Sequence, residues 1–169
     1  MKTIYQPDAL LDLSFTRIVD VPRGLIWRAW TEPDLLMRWF CPLPWKTIDC
    51  EMDLRPGGIF RTTMQSPDGK EFPNSGCYLQ IIPDEKLVWT NALLSGFRPA
   101  APSPTCGDEL ADFKFTAIVE VADFGSGTRY TATVIHADEA GSKQHAAMGF
   151  EQGWGIALEQ LIAMVRKGI

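Results

Sequence analysis

The two histidines are the residues of this chain whose ordinary titration falls nearest neutrality. His136 closes a run in which Tyr130, Ala132 and Val134 share its parity, and His145 opens the last apolar-periodic segment. A fold that closes the two segments on each other brings both rings to one mouth of an interior space, as proton carriers or metal ligands. Asp138 and Glu139 lie nearby, yet the four residues match no recognised ligand spacing, so hydrogen-bonded or solvated roles take precedence. No metal and no cofactor is expected; stoichiometric zinc in chelator-washed protein would overturn that. A second constellation is charged. Glu51 and Asp53 share one face of a strand-like run, and Arg61 alternates with Phe60 and Thr62 in the next, which is the pattern of a cross-strand ion pair. Facing solvent, that pair is ordinary surface. Facing inward, Arg61 needs a buried partner or an anionic ligand, because an unpaired charge is too costly to bury. Both placements stay open. No Ser/His/Asp or Cys/His arrangement is spaced for nucleophilic catalysis, and Cys41, Cys50, Cys77 and Cys106 include no Cys-x-x-Cys pair. Reduced, mostly buried thiols are the expectation, with Cys106, in a polar loop, the exception.

The elements that must position these residues follow from periodicity. Leu11, Leu13, Phe15, Val19 and Val21 alternate with polar residues, the mark of a strand with one buried face. Pro22 ends it and suits the first turn of a short helix carrying Ile26 and Trp30; Thr31 is placed to cap a second, with Pro33 and Asp34 in its first turn. From Trp45 to Leu94 strands alternate with turns: Ile48, Cys50, Met52 and Leu54 on one face, the Arg55-Pro56-Gly57-Gly58 turn, Ile59 to Gln65, the Ser66-Pro67-Asp68-Gly69 hairpin, Phe72 to Ile82 broken by Pro73, then Leu87 to Leu94. Ser95 to Asp112 has neither period and reads as a long loop. Phe113 to Val121 and Arg129 to His136 complete the sheet. After Ser142 the period turns helical, with Phe150, Trp154, Leu158, Leu161 and Val165 in one stripe and Glu151, Gln152, Glu159 and Gln160 elsewhere on the wheel. Gly149 and Gly153 lie a turn apart on that helix, which implies close approach to the sheet or room for a ligand.

This order, a strand, two short helices, about six more strands and one long helix, describes an α+β domain spanning 1–169. A curved antiparallel sheet of six to seven strands wraps the C-terminal helix so that both apolar faces are buried. The composition is that of an ordinary globular chain, with 46% hydrophobic and 22% charged residues. A net charge of −5 without basic clusters excludes a nucleic-acid partner, and no apolar run is long enough to span a membrane. The first ten residues lack the apolar core of a secretory signal, so the protein is expected in the cytoplasm.

Six segments together resemble a known family: Val21-Pro22, Trp39, Asp53-Leu54-Arg55-Pro56-Gly57-Gly58, Pro67-Asp68-Gly69, Leu87-Val88-Trp89-Thr90, and Met148-Gly149-Phe150-Glu151-Gln152-Gly153-Trp154. The chain is similar, from Leu11 to Val165, to the START-like SRPBCC superfamily, in the branch of homologues of the activator of the heat-shock-protein ATPase. The resemblance implies a helix-grip fold with a deep hydrophobic cavity between sheet and helix. It places Trp39, Trp89 and Trp154 on the cavity wall, with Tyr78 and Asn91 as polar anchors, and leaves Trp27 and Trp30 to the core. Met52, Arg61, His136 and Phe150 complete the set expected to meet a ligand, and the loop from Ser95 to Asp112 is expected to gate it.

Three functions are compatible with such a container. The first is binding of a small apolar or aromatic molecule. The second is an enzyme of cyclase, dehydratase or hydrolase type, using His136, Tyr78 or Asn91 as acid, base or oxyanion donor. The third is a chaperone cofactor or other protein-interaction role, including a homodimer.

Overall fold

The computed structural model describes residues 5–101 and 114–169. Seven antiparallel strands form one sheet: β1 (Asp12–Val19), β2 (Lys46–Met52), β3 (Ile59–Gln65), β4 (Glu71–Ile82), β5 (Lys86–Thr90), and the strands Thr116–Phe124 and Gly127–Ile135. A two-stranded ribbon of β6 (Leu93–Leu94) and β7 (Arg98–Pro99) precedes the last two, which are therefore β8 and β9. The spatial order is β1-β9-β8-β5-β4-β3-β2, so the N-terminal strand pairs with the last strand and β2 forms the opposite edge. Among the described residues four helices cover the inner face: α1 (Arg23–Thr31), α2 (Pro33–Leu36), α3 (Glu139–Ala147) and α4 (Phe150–Arg166). This is the helix-grip arrangement, with α4 held against the concave sheet and a core that includes Phe15, Ile26, Leu36, Val119, Val134, Leu161 and Val165.

Several elements depart from the sequence expectation. The final helical segment is two helices. Gly149 lies between them at φ 86°, a left-handed conformation that costs glycine nothing and any side chain a great deal, and it caps α4. Thr31 caps nothing: it ends α1, where its hydroxyl donates to the Trp27 carbonyl at 2.8 Å, and Glu32 stands at the start of α2. Pro73 leaves β4 unbroken, because β5 pairs with β4 only from Cys77 onward and, among the described residues, no strand pairs with β4 on that side at Pro73. In β2 a bulge between Thr47 and Asp49 shifts the parity. Thr47 and Cys50 both oppose inward-facing residues of β3, Met64 and Thr62, and Ile48 is turned outward, 41% exposed.

The segment expected to be one loop begins with structure. Residues 93–99 form the β6/β7 ribbon around a helical turn, and this ribbon docks on the β2–β3 turn. Gly96 N–H donates to the Gly57 carbonyl at 2.8 Å, and Gly57, at φ 79°, lies directly under the Phe97 ring. A Cβ on Gly57 would come within 2.8 Å of that ring. The expected gate beyond 101, Cys106 and the start of the strand at Phe113 lie outside the described residues.

Candidate ligand cavity

Inward parity on β3, β4, β5 and β9 sets the sheet side of the site. Phe60, Thr62 and Met64 face inward from β3, Phe72 and Asn74 from β4, Trp89 from β5 and Tyr130 from β9, and all line a cavity of about 660 Å³ between sheet and helices. The helical side is contributed by Trp30 of α1, Trp39 and Phe40 after α2, His145 of α3, and Phe150, Gly153, Trp154 and Ala157 of α4. The Cβ position of Gly153 meets only Pro42 Cγ, at 4.0 Å, so the bare helix backbone opens onto the space.

The wall is an aromatic network. Trp30 is its centre, with ring centroids 4.7 Å from Trp39, 5.3 Å from Trp89, 5.8 Å from Phe40 and 6.4 Å from Trp154. Trp89 and Trp154 stack at 6.2 Å, and Phe60 meets Trp89 edge-on at 5.4 Å. These spacings lie in the range where aromatic pairs attract one another beyond simple burial. Trp39 is pinned by its indole N–H, which donates to the Ala29 carbonyl at 3.1 Å. The segment carrying it is clasped by Gln160 of α4: the side-chain amide donates to the Trp39 carbonyl at 3.1 Å and the Cys41 carbonyl at 2.8 Å, and its oxygen accepts from Leu43 N–H at 2.9 Å.

Polar groups are few and neutral. Thr62, Asn74, Ser75, Thr90, Asn91 and His145 reach the wall, and among the described residues no Asp, Glu, Lys or Arg does. Asn91 Oδ1 accepts from Phe115 N–H at 2.8 Å, and Thr90 Oγ1 donates to the Phe115 carbonyl at 2.9 Å. Burial lifts the Tyr130 phenol well above its ordinary value; the Trp30 indole N–H beside it opposes that rise, although Trp30 Nε1 is not placed to complete a hydrogen bond.

Of the residues expected to meet a ligand, Trp39, Trp89, Asn91, Phe150 and Trp154 line the cavity. Met52, Arg61, Tyr78 and His136 do not. Met52 faces inward opposite Phe60, half-buried against the core and short of the wall. Arg61 has outward parity and pairs in solvent with Glu51 at 2.9 Å and Asp49 at 3.2 Å, whereas Asp53 pairs with Arg55 at 2.6 Å. Tyr78 is buried beneath Phe60, its ring stacked at 5.2 Å and its hydroxyl without a partner; burial, with Cys50 beside it, keeps that phenol protonated. His136 stands behind His145, 2.9 Å away. Asp138 caps α3 by accepting from Gly141 N–H at 2.8 Å, and Glu139 pairs with Lys143 at 2.6 Å, so both acids beside the histidines have structural partners. Among the described residues no group of three or more ligating side chains converges.

Trp30, Phe60 and Tyr130 were not anticipated as wall residues, and His145, expected at the mouth of the interior space, was not counted among the residues that meet a ligand. Trp30 had the helical spacing of a core residue, which it is, but its ring extends through the core to the cavity. His145 and Phe60 had usable signals, a histidine entering the gripped segment and an aromatic of inward parity beside Arg61. Burial raises the three described thiols above their ordinary value, Cys50 to about 11 with Asp49 adding to the effect, so none is primed as a nucleophile.

Comparison with known proteins converges on one family. The sequence profile described as activator of Hsp90 ATPase homolog 1-like protein matches residues 20–166. The chain resembles the crystal structure of a protein from Nitrosomonas europaea at 45% identity and TM-score 0.87, covering 95% of this chain and 97% of that one. It shares its fold with a crystal structure from Rhodobacter sphaeroides (20% identity, TM-score 0.79, 97% and 98% covered). It shares it also with a solution structure from Arthrobacter aurescens (24% identity, TM-score 0.77, 98% and 93% covered). No functionally curated protein matches the chain.

Proposed function

The chain belongs to the family of activator of Hsp90 ATPase homologue 1-like proteins, within the SRPBCC superfamily, and from that premise we propose that it binds a small apolar or aromatic molecule between the sheet and α4. The observation that carries this reading is the cavity of about 660 Å³ walled by Trp30, Trp89 and Trp154 and free, among the described residues, of charged lining groups. The space opens to solvent, so without a ligand water stands against its largely apolar wall. Stacked indoles favour flat apolar rings over that water.

The test is titration with N-phenyl-1-naphthylamine, followed by probe emission and by quenching of the wall tryptophans. Saturable binding is expected in the wild type. In Gly153→Leu it should weaken by about tenfold or more, because the new side chain projects from α4 into the space while helix propensity improves. Equal binding by both proteins, or none by either, would sink the reading.

A further inference from the structure

The polar side chains on the cavity wall differ in how much of their hydrogen-bonding capacity the protein itself uses. Thr90 Oγ1 donates to the Phe115 carbonyl at 2.9 Å and accepts from Ala92 N–H at 3.1 Å. Asn91 Oδ1 takes the Phe115 N–H at 2.8 Å, and His145 Nδ1 lies 2.9 Å from His136 Nε2. Ser75 stands opposite Arg61, on the outward parity. Thr62 and Asn74 are different. They are direct cross-strand partners on the inner face of β3 and β4, with Cβ atoms about 5 Å apart, and both reach the wall. Thr62 is 3% exposed, and among the described residues its hydroxyl has no partner, neither Asn74 nor the Cys50 thiol that flanks it from β2. Asn74 is half-buried, and its Nδ2 donates to the Phe72 carbonyl at 3.3 Å. A carbonyl only accepts, so the nitrogen is the end of the side chain turned to Phe72, and Oδ1 is left as an unused acceptor.

We propose that Thr62 and Asn74 are the polar anchor of the cavity, and that its occupant is a flat aromatic molecule bearing a neutral carboxamide, whose carbonyl accepts from the Thr62 hydroxyl and whose N–H donates to Asn74 Oδ1 while the ring lies among the tryptophans. The inference rests on the cavity being a ligand site. It follows from what each anchor lacks. Oδ1 only accepts, so the occupant must bring it a proton; Thr62 has one proton to give, so the occupant must also bring a lone pair. A ketone, ether or ester supplies only the lone pair and, by displacing water, leaves Oδ1 buried and unmet. A carboxylate brings no proton, and it sets a charge against Oδ1 on a wall that, among the described residues, has no cation to receive it. A carboxamide supplies both needs from neighbouring atoms, matching two anchors that stand side by side on adjacent strands, whereas a hydroxyl has to serve both from one oxygen.

The experiment compares 2-naphthamide with 2-acetylnaphthalene, in which a methyl group replaces the amide nitrogen while ring and carbonyl are unchanged, by calorimetric titration of the full chain. Wild type should bind the amide about fivefold or more tightly than the ketone, the worth of one neutral hydrogen bond, and 2-naphthoate more weakly than either. That comparison stands without any variant. The two anchors then separate by substitution. Asn74→Leu should abolish the preference while affinity for the ketone changes by less than about twofold, because the ketone has no proton for Oδ1. Thr62→Val, which keeps the shape of the side chain, should weaken amide and ketone alike by about fivefold, because both present the carbonyl. Equal affinity for amide and ketone in wild type, tighter binding of the naphthoate than of the amide, a preference that survives in Asn74→Leu, or no loss in Thr62→Val overturns the inference and leaves the cavity reading standing. Binding of none of the three compounds overturns both.

Discussion

At the scale of the residue, the pair of histidines governs how the protein responds to acid. His145 takes up its proton only near pH 4 in the folded chain, whereas an unfolded histidine does so near its ordinary value of about 6.5. Between those values the unfolded chain binds a proton that the folded chain refuses, so stability falls as pH falls. The contribution is whole above about pH 6.5 and spent below about 4, in total of the order of 2–3 kcal/mol. Asp20, Glu32 and Asp68, held low by Arg166, Arg28 and Ser66, act in the same direction but only once pH enters the carboxylate range near 4. The interval from pH 6.5 to 5 therefore belongs to imidazole. Urea midpoints measured across it should drop in wild type and stay nearly flat in His145→Phe; parallel slopes would show that His145 is not held neutral. The sequence brings both histidines to one mouth, but which of them reaches the wall could not be read from spacing, because the inward parity of His136 does not say that His145 will stand in front of it. Tyr78 was misplaced for a related reason: parity puts it on the inner face but does not say that Phe60 will lie over it. Trp39, Trp89, Trp154, Phe150 and Asn91 were legible because their role follows from parity or helical stripe within a recognised fold.

At the scale of the element, what decided the site was where regular patterns break. Strand alternation located most of the inner face, yet the bulge at Thr47 to Asp49 exchanges the faces of the first half of β2 and sends Ile48 outward, a change that no count of apolar residues anticipates. Gly149 was read as a helical position, but its left-handed backbone divides α3 from α4, and His145 and Phe150 stand either side of that break. Gln160 is the clearest case. On a helical wheel it is a polar residue off the apolar stripe, but in the fold its amide bonds three backbone groups of the segment that carries Trp39 and Leu43. A carboxylate of the same shape can accept from Leu43 N–H but cannot donate to the Trp39 and Cys41 carbonyls, and it sets negative charge against both oxygens. Gln160→Glu should therefore cost about 2 kcal/mol in chemical unfolding and weaken N-phenyl-1-naphthylamine binding by freeing the Trp39 wall. A stable variant with unchanged binding would show that the clasp does not position the cavity.

At the scale of the whole molecule, a sheet that grips one helix at its far end leaves about 660 Å³ beside the near end, open to solvent and ready for an apolar molecule to displace the water there. The overall order of strands and helices made this architecture legible in advance, because seven strands with one strongly apolar helix have few ways to bury both faces. The size of the space was not, since it depends on how far Trp30, Trp89 and Trp154 stand apart once the backbone is set. Occupancy and folding are then linked: a molecule that binds only the folded chain at a free concentration of 100 times its Kd adds about 2.7 kcal/mol to stability. For a chain of 169 residues this corresponds to a rise in Tm of about 5–10 °C. Wild type should show that rise with saturating 2-naphthamide, and Gly153→Leu, with the space filled by its own side chain, should melt at or above the ligand-free wild type and respond to 2-naphthamide by less than about 2 °C. A plugged variant that is less stable than wild type and still gains the full shift would mean that the ligand binds elsewhere, and that the space between the sheet and α4 is kept open for some purpose other than holding it.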